Sequence, residues 1–316
     1  MEYNNLTTPV AFFIFNRPQT TIRVFEEIKK AKPSTLLIIA DGPRENRPGE
    51  AHLCDEVKRI VQNVDWECEV LRNYSSVNLG CKRRISSGLN WVFENVEEAI
   101  ILEDDCLPSQ SFFWYCQETL KKYRHEDSIM HISGDNMQFN STNQTFSAYF
   151  SKFVNVWGWA TWRRAWLCYD IEMKNWPQRR ELLVEIVDNS WYRELISDAY
   201  DKTKKGEIDT WDYQWQFSVQ VNDGYSVVPK VNLVSNIGFG ENATHTRRQS
   251  KYANTNRGDI QLPISFPLEI RQDKLKDNKE ATIYVKQFSW LGYLPFWVFR
   301  VIRAVYRKTW KKILGT

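Results

Sequence analysis

The chain has 316 residues, 42% of them hydrophobic and 26% charged, enough apolar material for a sizeable core in one large domain or two unequal ones. With 13 Gly, 11 Pro and no biased tract, the composition excludes a collagen, a linker array and a mainly disordered chain. The net charge of +3 hides a segregation: residues 286–316 hold seven Lys or Arg and no acid, which leaves residues 1–285 at −4, a balance that argues against nucleic-acid binding by the body.

The first element in the chain is TTPVAFFIFNRP, a seven-residue apolar stretch stopped by Asn16-Arg17-Pro18. That is the length of a buried strand rather than of a signal segment. Apolar runs at 9–15, 35–41, 68–73, 98–103 and 129–133 alternate with stretches of helical period, which predicts β-α-β units around a parallel sheet. Thr20 or Thr21 is expected to cap a helix carrying Ile22, Phe25 and Ile28 on its buried face, and Ser109 one carrying Phe112, Phe113, Cys116 and Leu120. In such a sheet the ligand lies beyond the carboxyl ends of the strands. The places to look are therefore Asn16-Arg17, Asp41-Gly42, Asn73, Glu103-Asp104-Asp105 and Ser133-Gly134-Asp135.

From about 140 to 240 the composition turns aromatic, with NVWGWATWRRAW, a charged helical region at 178–205, and then DTWDYQWQF. This reads as an elaboration packed on the first sheet. Residues 247–285 are polar and broken by Pro263 and Pro267, which predicts an extended connection, and residues 286–316 form a separate element. Six widely spaced cysteines, with no C-x-x-C pair and no His at ligand spacing, are expected to be free thiols in a reducing, cytoplasmic setting. No run of about 18 uninterrupted apolar residues could span a bilayer.

The sharpest chemical feature is ILEDDC at 101–106, an apolar strand that stops in three adjacent carboxylates. Such acids repel one another unless a cation neutralises them. Hard divalent ions such as Mn²⁺ or Mg²⁺ take carboxylate oxygens and share them with phosphate oxygens; a solvated acidic loop before a helix is the alternative. Arg17, Asp41 and the run Gly80-Cys81-Lys82-Arg83-Arg84 at a helix start would converge with these acids on one pocket, and a nucleotide diphosphate needs such cationic donors.

The order FIFNRP, IIADGP, NLGCKRRISSGLNWVF, ILEDDCLPSQSFF, VWGWATWRRAW, TWDYQW and NIGFGENATHT resembles bacterial glycosyltransferases of the GT-A fold, similar to the N-acetylglucosaminyltransferase I type. The resemblance spans residues 9–246, about three quarters of the chain. It implies an α/β, Rossmann-like, mixed and mostly parallel sheet flanked by helices, with a donor half at 1–135 and an acceptor half at 136–246. It also implies a UDP-sugar donor, a glycan or lipid-linked acceptor, inverting transfer, and Mn²⁺ or Mg²⁺ as cofactor.

Placed on these residues, the resemblance gives Phe15, Asn16, Arg17 and Asp41 to the base and ribose, and Lys82 or Arg83 to the base or diphosphate. Glu103 would meet the donor sugar, Asp104 the ribose or metal waters, and Asp105 the metal. His245, which follows the Gly238-Phe239-Gly240 turn, would sit on the metal or diphosphate. Asp212 is the candidate base, with Asp209, one helical turn earlier, as its rival; Tyr213 stands where the eukaryotic relatives carry a second acid. Trp157-Gly158-Trp159 reads as a loop shaping the donor-sugar or acceptor pocket, whereas Trp162 and Trp166, four residues apart, are expected to share a helical face in the core. A sugar-nucleotide pyrophosphorylase and a non-catalytic carbohydrate-binding protein are the rival functions; FNRPQTT has none of the glycines of the former's phosphate loop.

In the tail, Arg300, Arg303, Arg307 and Lys311 form one basic stripe, with Trp297, Val298, Val301, Ile302, Val305 and Ile313 on the rest and Tyr306 and Trp310 as interfacial aromatics. Residues 295–314 are therefore expected to be an amphipathic helix lying on an anionic membrane surface, with docking on its own domain or a partner as the alternative.

Overall fold

The computed structural model describes residues 6–138, 145–238 and 255–288. In chain order the elements are β1 (Val10–Ile14), α1 (Pro18–Ala31), β2 (Thr35–Ala40), α2 (Glu50–Ile60), β3 (Glu69–Tyr74), α3 (Gly80–Asn95), β4 (Glu98–Glu103), β5 (Cys106–Pro108), α4 (Gln110–Tyr123) and β6 (Ile129–Ser133). Then follow β7 (Ala148–Ser151), β8 (Trp159–Trp162), α5 (Arg163–Trp166), α6 (Leu182–Ile186), α7 (Ser190–Lys204), α8 (Asp212–Val221), β9 (Tyr225–Pro229), β10 (Val234–Asn236) and α9 (Lys274–Phe288).

Eight strands form one mixed sheet in the order β3-β2-β1-β4-β8-β6-β9-β7, and β5 pairs with β10 in a small second ladder. The ladders β1–β2, β2–β3, β1–β4 and β6–β9 are parallel, so the expected α/β, Rossmann-like class with a mostly parallel sheet is what the structure has. The near-continuous apolar strands follow from cover on both faces. Val10, Phe12 and Ile14 of β1, Leu36 and Ile38 of β2, and Ile100 and Leu102 of β4 face a layer that includes α1 and α4. Ala11, Phe13, Leu37, Ile39, Ala99 and Ile101 face the layer of α3, α5 and α8. The strand order reverses between β1 and β4, which makes their carboxyl ends a crevice in which such sheets bind ligands.

Local start signals are shifted where proline intervenes. Pro18 opens α1, a position where its missing N–H costs nothing, and Arg17 is the N-cap residue. Thr20 and Thr21 are therefore inside the first turn, where their hydroxyls donate back to the Arg17 carbonyl at 3.2 and 2.7 Å. The buried face is Thr21, Val24, Phe25 and Ile28, at i, i+3, i+4 and i+7, and Ile22, off that stripe, is 46% exposed. Ser109 does precede α4, whose Phe112, Phe113, Cys116 and Leu120 are all buried.

The aromatic block departs from its expected layout. Trp162 ends a strand, not a helix, and packs into the α1/α4 layer, while Trp166 packs into the opposite layer; both are core, on different faces of the sheet. The charged region 178–205 holds α6 and α7. Over 247–285 the expected extended connection holds only in part: residues 255–273 lack regular structure apart from an isolated bridge of Gln272 to Phe150, but Lys274–Phe288 is helical. Its polarity misleads because two acids point inward with Ala281 and Val285 at helical spacing. Asp277 accepts from the Ser151 hydroxyl (2.6 Å), the Lys152 N–H (2.9 Å) and the Gln272 amide (2.7 Å), and Glu280 accepts from the Asn155 amide at 2.8 Å. Among the described residues no helix is long and apolar enough to cross a membrane.

Burial pushes Glu280 up to about 7 and Asp277 up to about 6. Because these folded values exceed those of the unfolded chain, the associated stability is full below the ordinary carboxylate range and is lost as pH rises through 6 to 7. Buried His131, held down to about 3 by desolvation, acts oppositely, but its contribution is complete above about pH 6.5. Between about pH 5 and 7 Glu280→Gln, which lacks this titration while His131 acts equally in both proteins, is therefore expected to lose less thermal stability with rising pH than wild type; equal slopes in thermal melts of the two proteins over that range would refute the assignment.

Candidate functional site

The crevice between β1 and β4 is built by the residues that end those strands. Asp104 is turned toward β1, where its Oδ2 accepts the Phe15 backbone N–H at 3.0 Å and its Oδ1 meets Arg17 Nη1 at 3.3 Å. Arg17 Nη1 also reaches Asp105 Oδ2 at 2.5 Å. The cation that holds this acidic strand end together is thus supplied by the chain itself, from the N-cap of α1. Burial raises the pKa of Asp104 against the opposing pull of Arg17, and burial followed by Asp105 and Asp104 raises that of Glu103.

The three acids have different surroundings. Asp104, expected toward ribose or metal waters, is buried and bonded to Phe15 and Arg17. Asp105 is half-buried, with Gly238 against it: a Cβ at Gly238 would fall 2.2 Å from Asp105 Oδ2, so only glycine allows that approach. The Ile237 N–H fixes the same strand end by donating to the Asp105 carbonyl at 2.8 Å. Glu103, by strand alternation, faces the α3/α8 side, and its charge acts on Cys81 together with those of Asp212, Asp209 and Asp105. Burial and these four acids hold the Cys81 thiol well above its usual range.

The structure thereby brings Asp209 and Asp212 to the strand-end acids, from the far half of the sequence. Asp212 is the first residue of α8 and half-buried; its Oδ1 accepts the Thr210 hydroxyl and the Tyr213 N–H (2.8 Å). Asp209 is exposed and lies in the loop before α8, not on a preceding helical turn as expected. Its Oδ2 would be 3.2 Å from a Cβ at Gly80, beside the start of α3.

Asp41, expected at the base and ribose, is bonded by the chain itself. It is buried, and its carboxylate accepts the backbone N–H groups of Gly42 (2.9 Å), Leu79 (2.9 Å) and Gly80 (3.1 Å) and the Asn78 amide (3.0 Å). It therefore organises the start of α3, where Lys82 is half-buried and Arg83 exposed. Asp41→Asn places an amide donor against three backbone donors, and a loss of about 1–3 kcal/mol in denaturant unfolding is expected. Unchanged stability would return Asp41 to ligand binding.

Two residues that belong to no motif complete the near wall. Glu50, at the start of α2, accepts the Asn16 amide (2.9 Å) and the Arg44 backbone N–H (2.7 Å) and pairs with the Arg44 guanidinium. Arg44 in turn lies over the Phe15 ring, 5.5 Å from its centroid. Asn16 is thus spent on Glu50, while Phe15 and Arg44 form a stacked pair at the mouth.

On the far wall, Trp159 is not a loop residue. It lies in β8 between β4 and β6, is 1% exposed, and stacks with His131 (5.1 Å) and Trp211 (5.5 Å). Trp215 donates to His131 Nδ1 at 3.1 Å, and the opposite nitrogen of that ring lies 2.9 Å from the Asn155 carbonyl. A strand covered by helices on both faces buries every one of its residues, which is why Trp159 is core. Gly158 has φ +69° and accepts the Gly134 N–H at 2.8 Å, and Trp157 is half-buried beside it. His245 lies outside the described residues.

Among the described residues no three His, Cys, Asp or Glu side chains gather into a self-sufficient metal site. Asp105 offers hard oxygens that fit Mn²⁺ or Mg²⁺ where phosphate oxygens and waters complete the shell. The chain matches no protein-family model and no curated protein. Solved structures that resemble it include a 4-diphosphocytidyl-2C-methyl-D-erythritol synthase from Anaerococcus prevotii (12% identity, 71% of this chain and 86% of that one, TM-score 0.36). A UDP-glucose pyrophosphorylase complexed with UDP-glucose is 8% identical over 73% of this chain and 93% of its own, TM-score 0.36. The galactosyltransferase LgtC, in complex with donor and acceptor sugar analogues, is 10% identical over 67% and 70%, TM-score 0.36. What the cleft of this chain can do follows from its own side chains.

Proposed function

We propose that the chain is a nucleotide-sugar glycosyltransferase that moves a sugar, with inversion, from a UDP-sugar to a glycan or lipid-linked acceptor during surface polysaccharide synthesis at the cytoplasmic membrane face. The observation that carries the reading is the meeting, at the β1/β4 switch point, of an arginine-bound acid pair on one wall with Glu103, Asp209 and Asp212 on the other. The first set suits a diphosphate and the second a hydroxyl to be deprotonated.

In this reading Phe15 and Arg44 receive the base, Arg17 with Lys82 or Arg83 faces the phosphates, and Glu103 meets the donor sugar. Asp105 would hold Mn²⁺ or Mg²⁺, whose chemistry there would be charge neutralisation of the departing diphosphate. Arg17 already contacts Asp105, and His245, outside the described residues, is proposed for the same role toward metal or diphosphate. Asp212 takes the proton of the acceptor hydroxyl. A pyrophosphorylase is disfavoured because β1 passes into α1 through Phe15-Asn16-Arg17 with no glycine to cradle phosphates.

Calorimetric titration of UDP with and without Mn²⁺, with GDP and CDP as competitors, tests the donor site. Manganese-dependent UDP binding is expected. Absence of nucleotide binding under every condition would leave a non-catalytic carbohydrate-binding protein.

A further inference from the structure

We infer that the outer face of α9, with the segment leading into it, rests on an anionic lipid surface and so sets the orientation of the cleft to the membrane. This deepens the membrane part of the proposed function and rests on it. By sequence α9 is mixed in charge, with Lys274, Lys276, Lys279 and Lys286 against Asp277 and Glu280. In the fold both acids are buried, so the exposed charge of the helix is basic alone: Lys274, Lys279 and Lys286, joined by exposed Arg271 just before it.

The two most exposed large apolar side chains among the described residues lie in the same stretch, Leu268 at 99% and Leu275 at 85%. Exposed leucines beside lysines, which outnumber the exposed acids Glu269 in the segment and Asp188 bonded to Asn278 of the helix, are the makeup of a surface that touches lipid headgroups. Beyond Phe288 the sequence continues through residues 289–316, which carry six Lys or Arg and no acid, so the helix runs in sequence into a basic segment. A bilayer interface takes both the charge and the two leucines.

The inner face of α9 is tied firmly to the domain. The Tyr284 hydroxyl lies 2.9 Å from that of Tyr213, the neighbour of Asp212, and Asp277 and Glu280 hold the strand-β7 side. A lipid contact made by α9 is therefore transmitted to the whole body as a fixed orientation, which a tail alone would not give.

The test is co-sedimentation of the full chain with phosphatidylcholine vesicles and with phosphatidylcholine–phosphatidylglycerol vesicles. Three proteins are compared: wild type, a patch variant (Leu268→Ser, Lys274→Gln, Leu275→Ser, Lys279→Gln) and a tail variant (Arg300→Gln, Arg303→Gln, Arg307→Gln). Thermal melts establish that both variants are folded. Wild type is expected to bind only the anionic vesicles, and the patch variant to bind at least about 25-fold more weakly, about fivefold per lysine. A patch variant that binds like wild type while the tail variant is lost overturns this inference and leaves the tail as the membrane contact. Wild type that ignores anionic vesicles overturns both. A patch variant that loses self-association in light scattering, with vesicle binding unchanged, assigns the face to a second copy and overturns it as well.

Discussion

Asp105→Ala is expected to abolish manganese-dependent UDP binding while leaving the protein folded. The second half of that statement is what makes the experiment informative. Asp105 is one of three adjacent carboxylates, and its charge is among the causes that raise the pKa of both Glu103 and Asp104. Removing it relieves repulsion and leaves Arg17 paired with Asp104, so the melting temperature should hold or rise. Binding should fall at least about thirtyfold, the consequence of about 2 kcal/mol for deleting one side of a desolvated charge contact. Arg17→Gln should do the reverse to stability: it leaves Asp104 and Asp105 without their counter-charge and lowers the melting temperature. If Asp105→Ala binds UDP as wild type does, with or without Mn²⁺, the acid strand end is a structural lock for α1 and the donor site lies elsewhere.

That lock is the part of the site least legible in the sequence. The string ILEDDC announces that a cation is required, but nothing in it distinguishes a divalent ion from a guanidinium 88 positions away in the chain. Arg17 could be foreseen at a strand end, because FFIF stops at Asn16-Arg17-Pro18; that it would reach across the crevice depends on β1 and β4 being neighbours, a fact of topology. The same limit governs Asp41. Its place after IIA was legible, yet whether a carboxylate at a strand end meets ligand or backbone depends on the loop crossing it, here residues 77–80, which pass so close that a Cβ on Gly42 would strike the Val77 backbone at 2.5 Å.

The strands themselves were legible for a physical reason: helices on both faces bury β1, β2, β4 and β6 along nearly their whole length, and a short apolar run bounded by polar residues fits a covered strand better than any solvated element. The same cover defeated the reading of WGWATW. A central strand of four residues with a positive-φ glycine in front has the composition of an aromatic loop, and only its pairing with β4 and β6 shows that Trp159 supports α8 from beneath. In α9 the inverse happened. Buried acids with protein partners look, letter by letter, like a solvated linker.

Trp159 and Trp211 bear directly on the second large expectation, the effect of Asp212→Asn. Trp211, stacked on Trp159, is the residue before Asp212, so the start of α8 is set by the aromatic core rather than by the aspartate. The substitution keeps the side-chain shape and its oxygen toward Thr210 and Tyr213 while removing the charge that would accept a proton. UDP binding should therefore be unchanged, and transfer to acceptor should fall about 10²–10⁴-fold in kcat, the range associated with a positioned general base. Asp209→Asn is the discriminating companion. Asp209 is exposed and lies against Gly80 at the start of α3, so its loss should shift donor affinity modestly and spare kcat. The reverse pattern, with Asp212→Asn active and Asp209→Asn dead, would move the base to Asp209 and make Asp212 the helix-start carboxylate whose charge favours α8. Loss of turnover in both variants, with UDP binding intact, would mean that the two acids together set the charge of the acceptor wall, a coupling that the double variant would expose by losing no more than either single one.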